Sequence, residues 1–290
     1  MKLVRLILQD FVIAGGRSSR VFAYAFSRRV RPLMAAALFA GLLSGTASAQ
    51  TATPRCNNSL DLIRLASPLT RVSQRLATRD AITIVAIGSS STAGAGASAP
   101  DKSYPSQLQA ELKVHFRGHP VTMINRGVNG EEIAEMLKRF DTEVLPAKPD
   151  LVLWQLGTNS VIRDHKASEH DSLIRAGLRK LHGIGADVVL VDPQYVPRVI
   201  AKPEAEPMVN FLAAVAKREN VDLFRRYETM KQWYQADHLA FDTFVSPDGL
   251  HLNDWGYACM AKGLGDAIAE AAQRPVQAAT AVSSVSRLAP

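Results

Sequence analysis

Ser90, Asp248 and His251 are the residues whose types and settings point to chemistry. Ser90 lies in Gly88-Ser89-Ser90-Ser91-Thr92-Ala93-Gly94, a hydroxyl-rich turn directly after the apolar run 82–87. A serine hydroxyl is a weak nucleophile until an adjacent base removes its proton. Histidine suits that task near neutral pH when a carboxylate fixes its tautomer. Asp248-Gly249-Leu250-His251 offers such a pair, three residues apart, just before a closing helix. Of the seven histidines, the other six read as solvated residues of helix surfaces or polar loops, with His238 a second candidate base. Taken without the Asp–His pair, Ser90 reads as one more turn or helix-capping serine beside Ser89 and Ser91.

These side chains need elements that carry them to one place. The stretches 82–87, 121–124, 151–156, 187–191 and 221–224 are short and apolar, and read as strands. Helices are expected at 104–116, 131–145, 168–184, 204–219 and 253–272. An amphipathic helix is expected at 60–76, kinked or split by Pro68. The alternation predicts one α/β domain whose parallel sheet is covered on both faces. Open sheets of this kind place ligand chemistry at the C-terminal ends of their strands. Gly88–Gly94 follows the first strand, Asn125-Arg-Gly-Val-Asn-Gly130 the second and Gly157-Thr-Asn159-Ser160 the third, with Asp248-x-x-His251 before the last helix. A nucleophile, a base and hydrogen-bond donors therefore converge on one rim.

The four blocks, in this order over about residues 82–272, resemble those of the SGNH (GDSL-like) hydrolases. The resemblance implies a three-layer α/β/α fold with a flavodoxin-like parallel sheet, and hydrolysis of small acyl esters through an acyl-enzyme. It implies Ser90 as nucleophile, His251 as general base and Asp248 as its orienting carboxylate. The oxyanion hole would comprise the N–H groups of Ser90 and Gly130 and the amide of Asn159. It implies neither metal nor cofactor, and a substrate such as an acetyl ester on a carbohydrate. A glycan O-acyltransferase with the same triad, and a non-catalytic glycan-binding or envelope module, are the alternatives. Two positions depart from the family pattern. Ser89 stands where an aspartate normally precedes the nucleophile, and Ser160 where one normally follows the third-block asparagine.

Gln155 at the end of the third strand, and Gln194, Tyr195 and Arg198 after the fourth, are candidate substrate contacts. Trp154 reads as core. Trp233, Tyr234, Trp255 and Tyr257 either pack the last helix or offer one ring to a sugar.

Charge separates the ends of the chain from its middle. Residues 1–49 carry seven of the 34 Lys and Arg and one of the 27 acids, so the remainder is close to neutral at +1. That argues against a nucleic-acid partner. Arg28, Arg29 and Arg31, the apolar run 33–43 and Ala47-Ser48-Ala49 read as an export signal cleaved after Ala49. The protein is thus expected in the periplasm or secreted, with no membrane span after cleavage. Residues 50–80 read as a linker and N-terminal helix, 81–273 as the hydrolase domain and 274–290 as a disordered tail. Cys56 and Cys259, near the two ends of that domain, either form a disulfide or leave Cys259 as a small core residue.

Overall fold

Five apolar runs hydrogen-bond into one parallel sheet in the order β2-β1-β3-β4-β5. The structure is a computed structural model and describes residues 53–275. The strands are β1 (Ile82–Gly88), β2 (Val121–Gly127), β3 (Leu151–Gln155), β4 (Asp187–Val191) and β5 (Asp222–Phe224). Helix Tyr104–His115 packs along Asp254–Gln273, while Asp171–Gly183 packs on Ile133–Lys138 and Ala205–Glu219. The three-layer α/β/α fold expected from the sequence is the one observed.

The central strands read clearly because both faces are covered. Every residue of β3 is buried, and β1 has a single half-buried position, Thr83. The edge strand β2 runs three residues beyond its apolar stretch. Asn125, Arg126 and Gly127 continue to pair with Ala86, Ile87 and Gly88, and their polar side chains hid that extension. Pro68 splits the first helical stretch, leaving Leu60–Ile63 and Thr70–Thr78. The helix expected at 131–145 ends at Lys138 and is followed by a wide turn, Phe140–Val144, and a 3-10 turn, Leu145–Ala147. A helix at Arg226–Gln235 was not expected.

Residues 53–80 belong to the packed body. Ile63, Leu65, Leu69 and Val72 are in the core, and Asp150, itself buried, accepts from Arg71 Nε (3.0 Å) and Arg75 Nε (2.7 Å). Cys56 and Cys259 form a disulfide that ties the start of this segment to the closing helix. Among the described residues, no helix is long and apolar enough to cross a membrane. The expected leader with its cleavage after Ala49, and all of the expected tail beyond Pro275, lie outside the described residues.

Register fixes where the rim lies. Gly88 is paired with Gly127, Ile87 with Trp154 and Gln155 with Val191. The strands therefore end together, and the turns that follow them are neighbours. Strand order reverses between β1 and β3, since the chain goes from β1 out to β2 and returns to β3. The turns after β1 and β3 flank the crevice that this switch opens.

Candidate active site

The turn after β1 coils at once into a short helix, Ser90–Ala93, whose first residue is Ser90. Two things hold it. Asn125 Nδ2 donates to Thr92 O (2.8 Å), and Asn125 Oδ1 accepts from Gly127 N (2.9 Å). Gly127 also lets the backbones touch, because a Cβ there would lie 2.1 Å from Ala93 N.

On the other side of the crevice, residues 245–252 form a pinned loop. Val245 and Leu252 make an antiparallel bridge, and Ser246 N donates to His251 O (2.8 Å). Asp248 Oδ1 accepts from the N–H groups of Leu250 and His251, both at 2.9 Å. Asn253 caps the closing helix by accepting from Gly256 N (3.0 Å). The result is a hydrogen-bonded series across 161 residues of sequence. His251 Nε2 lies 2.8 Å from Ser90 Oγ, and His251 Nδ1 is hydrogen-bonded to Asp248 Oδ2. Burial pushes the Asp248 carboxyl up, but the N–H groups of His251 and Leu250 and the His251 ring outweigh it and hold the carboxyl below its ordinary range. Asp248 is thus a carboxylate at neutral pH, able to orient the ring and to stabilise an imidazolium.

Gly130 has a left-handed backbone (φ 80°), which favours glycine at the turn after β2. Asn159 sits in the short helix Thr158–Ile162 after β3, and its Nδ2 donates to Glu131 O (2.8 Å). That bond ties the third block to the second beside Gly130. A groove of about 490 Å³ lined by Asn129, Gly130, Glu131, Glu132, Glu135 and Arg163 opens on this side.

Gln155, Gln194 and Tyr195 are not where a substrate contact must be. Gln155 and Gln194 are 1% exposed, and Tyr195 is buried among Tyr227, Tyr234 and Phe241. Gln155 and Gln194 are corrected to supports beneath the rim, and Tyr195 to a member of that aromatic cluster. Gln155 Oε1 accepts from Ser89 N (2.8 Å) and Ser89 Oγ (2.9 Å), and Gln155 Nε2 donates to Thr158 Oγ1 (3.4 Å). Thr158 Oγ1 donates to Gln194 Oε1 (2.8 Å), and Gln194 Nε2 donates to Leu250 O (3.2 Å). This buried row links the residue before Ser90 to the residue before His251. At position 89 the row is closed by a neutral hydroxyl on a neutral amide. Arg198 remains exposed, with its N–H donating to Gly249 O (3.1 Å).

A support and a substrate contact respond differently to truncation. Gln194→Leu is expected to leave the Thr158 hydroxyl and the Leu250 carbonyl short of a partner, costing about 1–3 kcal/mol for each group left unpaired. Urea unfolding should register that loss, while KM for a small ester stays within about twofold of wild type. A raised KM at unchanged stability would restore Gln194 as a substrate contact.

Below this row lies Asp192, fully buried, with Oδ1 accepting from Tyr227 N (2.9 Å) and no partner for Oδ2 among the described residues. Burial pushes its carboxyl up to about 7, against the Tyr227 N–H and the Arg226 guanidinium. An unfolded aspartate ionises near 4, so between about pH 4 and 7 the folded state holds the extra proton. Stability from this group therefore falls as pH rises through that window. Asp192→Asn should gain on wild type as melts are moved from pH 5 to pH 8. A stability difference that does not change with pH would refute it.

Sequence reasoning missed Thr158, Arg226 and the helix that carries Arg226. One other expectation changed and one was narrowed. Of the histidines read as solvated, His170 is buried. Trp233, Trp255 and Tyr257 pack against the body, with the Trp233 and Trp255 rings 5.5 Å apart, leaving Tyr234 as the exposed ring of the four.

Comparison with known proteins places this rim in a family. The sequence profile of the Non-GDSL lipase-like family matches residues 55–274, the whole of the body except its ends. The chain belongs to that family. Membership agrees with the lipase-like, SGNH-type reading of the blocks. An arylesterase of Vibrio mimicus is 27% identical over 143 residues, 48% of this chain and 70% of that protein. A two-domain esterase active on acetylated mannans superposes with a TM-score of 0.63 at 19% identity, covering 77% of this chain. The chain spans 59% of that larger protein. A catalytic mutant of an acetylxylan esterase from Geobacillus stearothermophilus superposes with a TM-score of 0.56 at 17% identity, covering 64% of this chain and 94% of that one. At these identities the two structures share the fold with this family member.

Proposed function

We propose that this protein hydrolyses a short acyl ester, an acetyl group on a carbohydrate, with Ser90, His251 and Asp248 as its triad. That it is a carboxylic ester hydrolase of the SGNH type rests on its family and its arylesterase relative. The observation that carries the finer reading is the 2.8 Å contact of His251 Nε2 with Ser90 Oγ, with Asp248 on the other ring nitrogen. The acetyl and sugar parts of the reading are drawn from the two carbohydrate-ester neighbours.

In this reading Ser90 Oγ attacks the ester carbonyl while His251 Nε2 takes the hydroxyl proton. The carbonyl oxygen becomes an anion received by the N–H groups of Ser90 and Gly130 and by Asn159 Nδ2. Neither N–H has a hydrogen-bond partner among the described residues. Each such donor supplies about 2.7–4 kcal/mol in well-studied cases. When the tetrahedral species collapses, the proton on His251 passes to the departing alcohol. Water, deprotonated by the same ring, then cleaves the acetyl-serine and restores the hydroxyl.

A chain-length series tests this. The protein is expected to turn over para-nitrophenyl acetate faster than the octanoate, to release acetate from acetylated xylooligosaccharides, and to take up a fluorophosphonate at Ser90. Inertness toward all three would end the proposal. Acetate release that slows as a sugar acceptor becomes acetylated would replace hydrolysis by transfer.

We also propose that the protein is exported. The Cys56–Cys259 disulfide suits an oxidising compartment. Mass spectrometry of the exported protein should find Gln50 at its N-terminus, and a retained leader would refute cleavage after Ala49.

A further inference from the structure

Glu132, His165 and His170 offer three potential ligand atoms, each within 4.8 Å of the others. They come from separate places. Glu132 caps the helix Ile133–Lys138, His165 follows the short helix Thr158–Ile162, and His170 precedes Asp171–Gly183. None belongs to the proposed triad or oxyanion hole. His170 is 7% exposed, and its Nε2 is buried with no hydrogen-bond partner among the described residues. A buried imidazole nitrogen without a partner costs free energy unless something fills its coordination.

We propose that Glu132, His165 and His170 bind a divalent transition-metal ion of the zinc class. The donor set suits such an ion, which takes imidazole nitrogen and carboxylate oxygen and often leaves a fourth position to water. One ligand pair is already close to coordination distance. His165 Nδ1 now sits 3.0 Å from Glu132 Oε2. Two ligands at Zn–N and Zn–O lengths on a tetrahedral ion stand about 3.3 Å apart, so only a small opening is required. The ion takes the place of the hydrogen between those atoms. A His165 ring that binds the ion through Nδ1 carries its proton on Nε2.

The surroundings already resemble a second shell. Ser160 Oγ donates to Glu132 Oε2 (2.9 Å), and Arg163 Nη1 holds the other oxygen, Oε1, leaving the carboxylate fixed in orientation. The side chain of His165 is 46% exposed, so an ion can arrive from solvent. Bound there, it would cross-link the turn that begins at Gly130 to the segment after β3. The ion lies beside the proposed oxyanion donors and takes no part in the reaction.

Calorimetric titration of the full chain with ZnCl2 after chelator treatment tests this without reference to activity. One ion per chain is expected, with Co2+ giving the intense visible band of a four-coordinate site. His165→Ala and His170→Ala should each weaken Zn2+ binding at least about tenfold. His165 is on the surface, so its variant decides the matter if His170→Ala does not fold. Absence of binding by the wild type overturns the proposal. So does binding that survives His165→Ala, or that is lost instead in His251→Ala, which would place the ion at the triad.

Discussion

Replacing Ser90 with alanine is expected to lower kcat/KM toward para-nitrophenyl acetate by about four to six orders of magnitude. The argument is geometric. Ser90 Oγ is the hydroxyl within hydrogen-bond reach of His251 Nε2, and Ser89, the residue before it, is turned inward onto Gln155. No neighbouring hydroxyl is therefore placed to take over. His251→Ala should cost about as much, and the double variant little more, because nucleophile and base act as one unit. Asp248→Asn keeps the shape but offers the ring the wrong tautomer, which cost about 10⁴-fold in the serine-protease case. Ser90→Ala should melt within about 2 °C of wild type, since it removes one half-buried oxygen. Steady-state kinetics beside thermal melts separates the two effects. Comparable turnover by Ser90→Ala and wild type would sink the triad.

Removing the disulfide should give the largest loss of stability. The bridge closes a span of 203 residues, and chain entropy alone assigns such a loop about 5 kcal/mol, toward the top of the observed range. The contacts around it go in the same direction. Asn58 Nδ2 donates to Cys259 O (3.0 Å) and Trp233 Nε1 to Asn57 O (3.1 Å), so the bridge anchors a segment that also covers Trp233. Cys56→Ser with Cys259→Ser is expected to lower Tm by about 8–15 °C for a domain of this size. The bridge joins 53–58 to the closing helix and does not touch Ser90 or His251. The folded variant should therefore keep kcat within about threefold of wild type at 25 °C. A melting point unchanged by the double substitution, or by reductant, would show that the bridge does not restrain the unfolded chain.

The two expectations draw on different levels of the molecule. The proposed nucleophile Ser90 was legible because such a turn needs a fixed local grammar, glycine and hydroxyls after a buried strand, and its proposed partner a fixed Asp-x-x-His. β1, β3 and β4 were legible because strands buried on both faces are continuous apolar runs. β2 was half legible, as an edge strand carries polar residues that look like loop. Arg226–Gln235 was illegible because Arg226 and Thr229 lie on its buried face beside Tyr227, Met230 and Trp233, which interrupts the apolar stripe.

The sequence by itself determined the fold class, the family blocks and the three residues of the proposed triad. All of these depend on local pattern and on order along the chain. Tertiary structure alone decided which way rim side chains point. Gln155 ends β3 and Gln194 follows β4 at the crevice, yet both turn inward, because Ser89, Thr158 and the Leu250 carbonyl meet beneath the rim and need partners. It also decided that Cys56 meets Cys259 and that His170 is buried beside Glu132. Those outcomes depend on distances between residues far apart in the chain, and no local pattern of residue types encodes them.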